Sequence, residues 1–357
     1  MPSLFTMVPS DYRVPAEHEP HRATWLLWPT RPDNWRAKAY FGQSYILSLA
    51  AFIAHFEPVR IGAPPNTVAT LQRMLPPGVS VVEMNYDDTW VRDTGPIVLV
   101  AAGKNSIAVH WRFNSWGGLF SSATADNRVA SEIAIYERMR IVEAPIVLEG
   151  GALICDGAGT IILTEESVLA ENRNPGLTRS EAEIVFRRFL NVSNIIWLPH
   201  GLLHDEAGGH VDNVCAFAPG QTILVAASDD PAHPSFERLR EAKAVLKSAH
   251  DALRKPYELV KVPLPAQAFI TAGEAEGFSA PNGTISRSVD TPLAASHINF
   301  YATAKAIFLP TFNSPSDATA TEIVAKAFPR RRIIPFPSRE FLLGGGAIHC
   351  LTRDIPG

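Results

Sequence analysis

The chain has 357 residues, 46% of them hydrophobic and 19% charged, with a formal net charge of -4 at pH 7. That length buries a sizeable core, and the near-balanced, slightly acidic charge leaves no basic footprint for nucleic acid, which is excluded as a partner. Residues 1–20 lack a secretory pattern, no apolar run reaches the roughly 18 residues of a membrane span, and three cysteines without CxxC spacing read as reduced thiols, so a cytoplasmic protein with no membrane partner is expected.

Taken in chain order, 24–28 is an apolar strand, followed by a helix near 40–55 and a strand at 58–61. Residues 68–75 are an insertion. A full cycle then begins: strands at 97–101 and 106–112 flank the turn residues Gly103, Lys104 and Asn105. A helix follows, with Asp126 as its cap and Val129, Ile133 and Tyr136 at helical spacing, and a strand at 146–148 closes the cycle. The second cycle has strands at 152–155 and 160–164 around Asp156, Gly157, Ala158 and Gly159. It continues with a helix opened by a Ser180–Glu183 capping box and a strand at 195–198. The third runs through 211–217, the Pro219–Gly220 turn, 222–226, a helix near 236–249 and a strand at 257–262. Residues 265–288, rich in Gly, Ala and Pro, read as a long loop. The fourth cycle uses 298–301, 306–309, a helix after Asp317 and 332–335. A stretch at 347–351 pairs with 24–28, so a fifth cycle is divided between the two ends and closes a ring. Repeats on this scale read as propellers or solenoids. No linker divides the chain, and 1–357 is expected to be one domain.

Reactive side chains recur at one place in these cycles, at or just before the first strand. They are Asp93 in DDTWVRDTGP, Glu149 in LEGG, His210 in GGHVDN and Cys350 in GGGAIHC. His210 and Asp212 are two apart, which on a strand turns both to one face. Glycines flank these positions and permit close approach of backbone to a ligand. Each piece has a bland reading: a carboxylate capping a turn, a structural His, a flexible Gly run. Equivalent positions around an axis converge, which favours a single site. Cys155 and Cys215, each inside an apolar stretch, read as buried structural thiols.

The motifs DDTWVRDTGP, FNSWGG, LEGG, NRNPGL, GGHVDN and GGGAIHC, with the opening PAEHEPHRATWLLWP, resemble the agmatine deiminase family of the guanidino-modifying pentein superfamily. The resemblance covers essentially the whole chain and implies a five-bladed α/β propeller of ββαβ units. Carried over by motif, it makes Cys350 the nucleophile and His210 the general acid/base oriented by Glu149. Asp93 and Asp212 then grip the guanidinium, Trp90 walls the pocket, and Asp87 and Glu206 join the substrate-binding set. His349 has no role in that pattern. The implied reaction is hydrolysis of agmatine to N-carbamoylputrescine and ammonia through a covalent thiouronium, with no metal and no cofactor. The partner is a small cationic guanidino substrate, and a homo-oligomer is kept open.

The chain departs from the family at Ala295, Ser296 and His297, where a Tyr-containing ASY is usual. It departs again at Leu351, Thr352, Arg353 and Asp354, where ITQQ is usual, and at 205–208. These departures leave the same chemistry on free, methylated or C-terminal arginine as the first alternative, with Arg92, Arg112 and Arg353 as candidate carboxylate partners. A metal-dependent hydrolase using Asp93, Glu149, His210 and Asp212, and a non-catalytic pentein module, are the others.

Overall fold

The computed structural model describes residues 7–279 and 287–357. Five sheets share one plan, an antiparallel pair extended by a parallel strand that returns through a helix. In the first, β1 (His21–Leu27) pairs in parallel with β2 (Val59–Ala63) after the helix Tyr40–Ala54. The insertion at 68–75 proves to be a helix, Pro65–Gln72, opened by proline at a position where the missing N–H is not needed. It leads to β3 (Val79–Glu83), which adds a further parallel strand.

The second sheet is β4 (Ile97–Leu99), β5 (Ile107–Arg112) and β6 (Arg140–Val147), and β6 begins six residues earlier than the apolar stretch at 146–148 indicated. The third is β7 (Leu153–Cys155), β8 (Thr160–Thr164) and β9 (Asn194–Leu198). The fourth is β10 (Cys215–Ala218), β11 (Thr222–Ala227) and β12 (Glu258–Pro263). Strand β13 (Ala268–Phe269) and a short helix Ala272–Ala275 occupy parts of the segment expected to be loop, and β13 pairs in a two-stranded ribbon with β14 (Pro292–Leu293) just beyond it. Residues 280–286 of that segment lie outside the described residues. The fifth sheet is β15 (Tyr301–Ala302), β16 (Ala306–Thr311) and β17 (Arg332–Pro337).

The segment expected to pair with β1 does not. Residues 339–344 are helical, 349–351 form a 3-10 turn, and β18 (Arg353–Pro356) makes the antiparallel pair with β1. The apolar character of 342–351 reflects burial of a helix and a turn. His210 and Asp212 likewise lie at a 3-10 turn, Val211–Asn213, ahead of β10, and the period-two argument for them fails.

Two cap assignments are also corrected. The helix Arg179–Leu190 is capped by Thr178 with Glu181, not by Ser180 with Glu183. Glu183 instead accepts from Trp197 Nε1 at 3.1 Å. Asp126 does not cap its own helix. Asp87 does, accepting the N–H groups of Ala125 (2.9 Å) and Asp126 (3.2 Å), while the Asp126 carboxylate accepts those of Asp87 (2.7 Å) and Asp88 (3.1 Å).

Each long helix packs back onto the preceding sheet. Phe186 and Phe189, from the helix after β8, meet Trp111 of β5 at ring separations of 6.0 and 6.1 Å. Burying each of these phenylalanines contributes roughly 1.5–3 kcal/mol. Leu239 and Leu246 cluster with Ile162 and Ile196, and Val324 shares that cluster with Val262. Ile46, Leu49 and Ile53 pack with Phe308 and Phe336 of the fifth sheet, and Val129 and Ile133 pack with Trp25 and Leu27 of the first. Among the described residues no helix is long and apolar enough to cross a membrane.

Candidate active site

Five short turns, each immediately before the first strand of an antiparallel pair, supply the reactive groups. Asp93 sits in the turn Val91–Thr94 before β4, and Glu149 directly precedes the turn Gly150–Ala152 before β7. His210 and Asp212 sit at the turn before β10, and Cys350 sits in the turn before β18. The fifth position is filled by Asn299, just ahead of β15. The strands hold these turns rigidly while the turns leave side chains free to point inward. Close approach is built in: a Cβ on Gly151 would stand 2.7 Å from His210 Nδ1, 2.8 Å from Asp212 Oδ2 and 2.9 Å from Asp93 Oδ1. Gly208 and Gly209, with φ of 77° and 89°, make the left-handed entry to His210 that glycine adopts without strain.

The Cys350 sulfur lies 3.3 Å from Asn299 Nδ2 and 3.8 Å from Asp212 Oδ2. Burial pushes its thiol well above the ordinary value, and the charges of Asp212 and Asp93 push it further. Asp93 accepts from Trp116 Nε1 and Gly151 N, both at 2.9 Å. Burial raises its carboxyl to about 6, with Asp212 and Glu149 adding to the shift and His210 opposing it. Glu149 accepts from Arg173 Nε at 3.1 Å, and Arg173 is anchored in turn on the Ala207 carbonyl.

His210 is buried between two carboxylates, with Nδ1 3.7 Å from Asp93 and Nε2 3.9 Å from Glu149, beyond hydrogen-bond reach. Its backbone N–H is tied to Asp205 at 2.8 Å. Burial disfavours the charged ring, but Asp93, Glu149, Asp205 and Asp212 outweigh it and hold its pKa above the ordinary value. Both ring nitrogens of His210 and Oδ1 of Asp212 are buried without a hydrogen-bond partner among the described residues. Buried polar atoms are rarely left so, and three in one cluster mark a place for a polar ligand.

A narrow pocket of about 30 Å³ reaches this cluster at Asp93 and Cys350, lined also by Trp90, Trp116, Phe120 and Glu206 among others. Trp90 is fixed as a wall by stacking on Trp35 (5.5 Å) and by donating to Asp88 at 3.2 Å. Glu206 lines the pocket, but both its oxygens are held by Arg287, at 2.5 and 2.8 Å. Asp87 is not brought to the pocket, because its carboxylate caps the helix Asp126–Tyr136.

The family departures at 295–297 and 351–354 lie off the pocket, whereas Asp205, Glu206 and Ala207 line it. His297 is fully buried, with Nδ1 2.9 Å from the Pro310 carbonyl and Nε2 3.0 Å from Ser316 Oγ. Arg353 and Arg92 line a separate interior cavity, and Arg112 is exposed at the end of β5. Among the described residues no group of three or more His, Cys, Asp or Glu is arranged to hold a metal ion.

Sequence reasoning missed Trp116, Arg173 and Asn299. The first two sit inside FNSWGG and NRNPGL, whose Trp and Arg are the signal that points to them. Asn299 occupies, in the fourth cycle, the position that the other cycles fill with reactive groups.

The sequence profile of Porphyromonas-type peptidyl-arginine deiminases matches residues 13–356. The chain is 40% identical over 351 residues to an agmatine deiminase of Pseudomonas fluorescens, spanning 97% of this chain and 95% of that one. It is 41% identical over 351 residues to an agmatine deiminase of Stutzerimonas stutzeri, with the same coverage. The solved structure of an agmatine deiminase of Enterococcus faecalis superposes with a TM-score of 0.94 at 32% identity, covering 97% of this chain and 96% of that one.

Proposed function

The chain belongs to the Porphyromonas-type peptidyl-arginine deiminase family, and from that membership we propose that it hydrolyses agmatine to N-carbamoylputrescine and ammonia. The observation that carries the reading is that Cys350 and Asp93 line one pocket, with Asp212 3.8 Å from the sulfur and the unpartnered His210 ring between Asp93 and Glu149.

Asp93 and Asp212 take the N–H groups of the guanidinium, whose planar fork matches carboxylates. The bound cation offsets the negative charge that keeps the Cys350 thiol protonated, so with substrate in place the thiol gives its proton to solvent and the thiolate forms. The sulfur attacks the guanidinium carbon, giving a tetrahedral adduct. His210, charged in this acidic setting, protonates the departing nitrogen, the C–N bond breaks and ammonia leaves a thiouronium on Cys350. The neutral ring then takes a proton from water, which attacks the same carbon. The C–S bond breaks and the ureido product departs with the thiol restored. Glu149, fixed by Arg173, orients and stabilises the charged ring.

The preference for agmatine over arginine rests on the lining. Among the described residues that line the pocket there is no Arg or Lys to meet a substrate carboxylate. Trp90, Trp116 and Phe120 suit an aliphatic spacer instead. The same reading makes the five sheets the blades of a five-bladed propeller, a closure supported by the way each helix packs on the preceding sheet, and it places the enzyme, with its three free cysteines, in the cytoplasm.

Ammonia release measured side by side on agmatine, arginine, methylated arginines and peptides ending in arginine tests the assignment. Agmatine should have the highest kcat/KM by a wide margin. Arginine preferred, or agmatine untouched, overturns it.

A further inference from the structure

Beside the sulfur-bearing residue stands a histidine that the reaction above does not use. His349 is 6% exposed and lies between two carboxylates, with Nδ1 2.8 Å from Asp212 Oδ2 and Nε2 2.5 Å from Glu17 Oε2. Its main chain is fixed as well: the N–H donates to the Asn299 carbonyl at 3.1 Å, and the carbonyl accepts from Arg92 Nε at 3.2 Å.

The charged groups around the ring are Glu17 from the segment before β1, Asp212 from the turn before β10, and Arg92 from the turn before β4. Arg353 and Asp354 stand on its own segment, on the wall of the interior cavity. Burial opposes ionisation of Glu17, but His349 and Arg92 outweigh it and hold that carboxyl below the usual range. An ionised carboxylate only accepts hydrogen bonds, so a ring caught between two of them donates from both nitrogens and is an imidazolium. Burial and Arg92 disfavour that charge, and the two carboxylates prevail.

We propose that His349, backed by Glu17, is a positioning residue that holds Asp212 with its free oxygen toward the guanidinium and keeps a positive charge beside the Asp212–Cys350 pair. The inference deepens the deiminase reading and rests on it. The Asp212 oxygen bound by His349 is the same one that lies 3.8 Å from the Cys350 sulfur, and the other oxygen has no partner among the described residues. One contact therefore does two things. It fixes which oxygen faces substrate, and it neutralises the one that opposes a thiolate.

His349 and Asp212 also line the interior cavity of about 80 Å³ behind the site. A small residue at 349 would enlarge that cavity, so the test uses side chains of similar size. His349→Gln keeps a donor and loses the charge. Glu17→Gln leaves the ring on Asp212 but lets it give up its proton.

The measurement is the pH dependence of Cys350 alkylation by iodoacetamide in substrate-free enzyme, followed by mass spectrometry, alongside kcat and KM on the best substrate and a thermal melt. His349→Gln should alkylate about tenfold more slowly at pH 7, the equivalent of one pH unit, with kcat lowered and KM raised. Glu17→Gln should shift the profile in the same direction by less, with KM near that of the wild type. Well-folded variants with wild-type alkylation profiles and kcat/KM would overturn the proposal. If His349→Gln fails to fold, Glu17→Gln decides alone. Should agmatine be untouched by the wild type, the substrate reading falls, while the alkylation profiles still judge the pair.

Discussion

Replacing Asp93 by Asn keeps the shape of the side chain and removes its charge, and the consequences for stability and for catalysis differ in sign. In the folded protein burial, with Asp212 and Glu149, pushes this carboxyl up to about 6. A carboxyl whose folded pKa exceeds its unfolded one binds more protons when folded, so stability falls as pH rises from about 4 to about 6. A shift of about two units leaves the ionised form penalised by about 3 kcal/mol above that window. Asn escapes this penalty, but it turns an amide N–H toward either Trp116 Nε1 or Gly151 N, which now donate to the two oxygens. Leaving one buried donor unsatisfied costs about 1–3 kcal/mol. The two effects nearly cancel, and the variant should lie within about 2 kcal/mol of the wild type at pH 8, with its relative stability declining toward pH 5.

Catalysis gains nothing from the exchange. Loss of a buried charged partner costs on the order of 2–5 kcal/mol, or roughly 30-fold to several thousand-fold in kcat/KM. The wild type should show a matching fall in kcat/KM as pH drops below about 6, where Asp93 takes up its proton. Ammonia release and thermal melts at pH 5 and 8 measure both sides. A variant with kcat/KM within threefold of the wild type would refute the guanidinium clamp, and an activity loss matched by collapse of the melting temperature would refute the stability argument.

Cys350→Ser should release no ammonia and melt like the wild type, whereas Cys155→Ser and Cys215→Ser should retain turnover; an active Cys350→Ser enzyme would end the thiolate mechanism. Trp116→Phe keeps the pocket wall and removes the 2.9 Å donor to Asp93, so kcat/KM should fall about tenfold; unchanged kinetics would show that this bond does not orient the carboxylate. Burial pushes Asp126 up to about 8, so its ionisation erodes stability as pH rises from about 4 toward 8. Asp126→Asn keeps an acceptor for Asp87 and Asp88, and its melting advantage over the wild type should be larger at pH 9 than at pH 5, a difference that a flat comparison would rule out.

Most strands were legible because the apolar runs around turns such as 156–159 leave little choice of structure. Local chemistry misled where two elements exchange partners. Asp126 has a cap's chemistry and position, yet the cap is Asp87, a residue far away in sequence that only tertiary structure brings alongside. Thr178 and Ser180 both satisfy a capping-box spacing, and nothing in the sequence ranks them. The stretch 347–351 looked like a strand because a buried turn and a buried strand are equally apolar. At the site the spacing of Asp93, Glu149, His210 and Cys350 gave the cycle away. Glu17 and His349 were out of reach, since their meaning lies in a contact between the two ends of the repeat.

Strand β18 follows the Cys350 turn directly and pairs with β1, so the sulfur is set in place by an antiparallel ladder between segments widely separated in sequence. Such long-range closure carries the greatest loss of chain freedom and is of the kind that slows folding. A chain in which the other four turns have already assembled would present its carboxylates and its imidazole with no sulfur facing them. Recovery of activity after dilution from denaturant should therefore lag behind recovery of tryptophan fluorescence and follow the slowest folding phase, making turnover a clock for the last ladder to form.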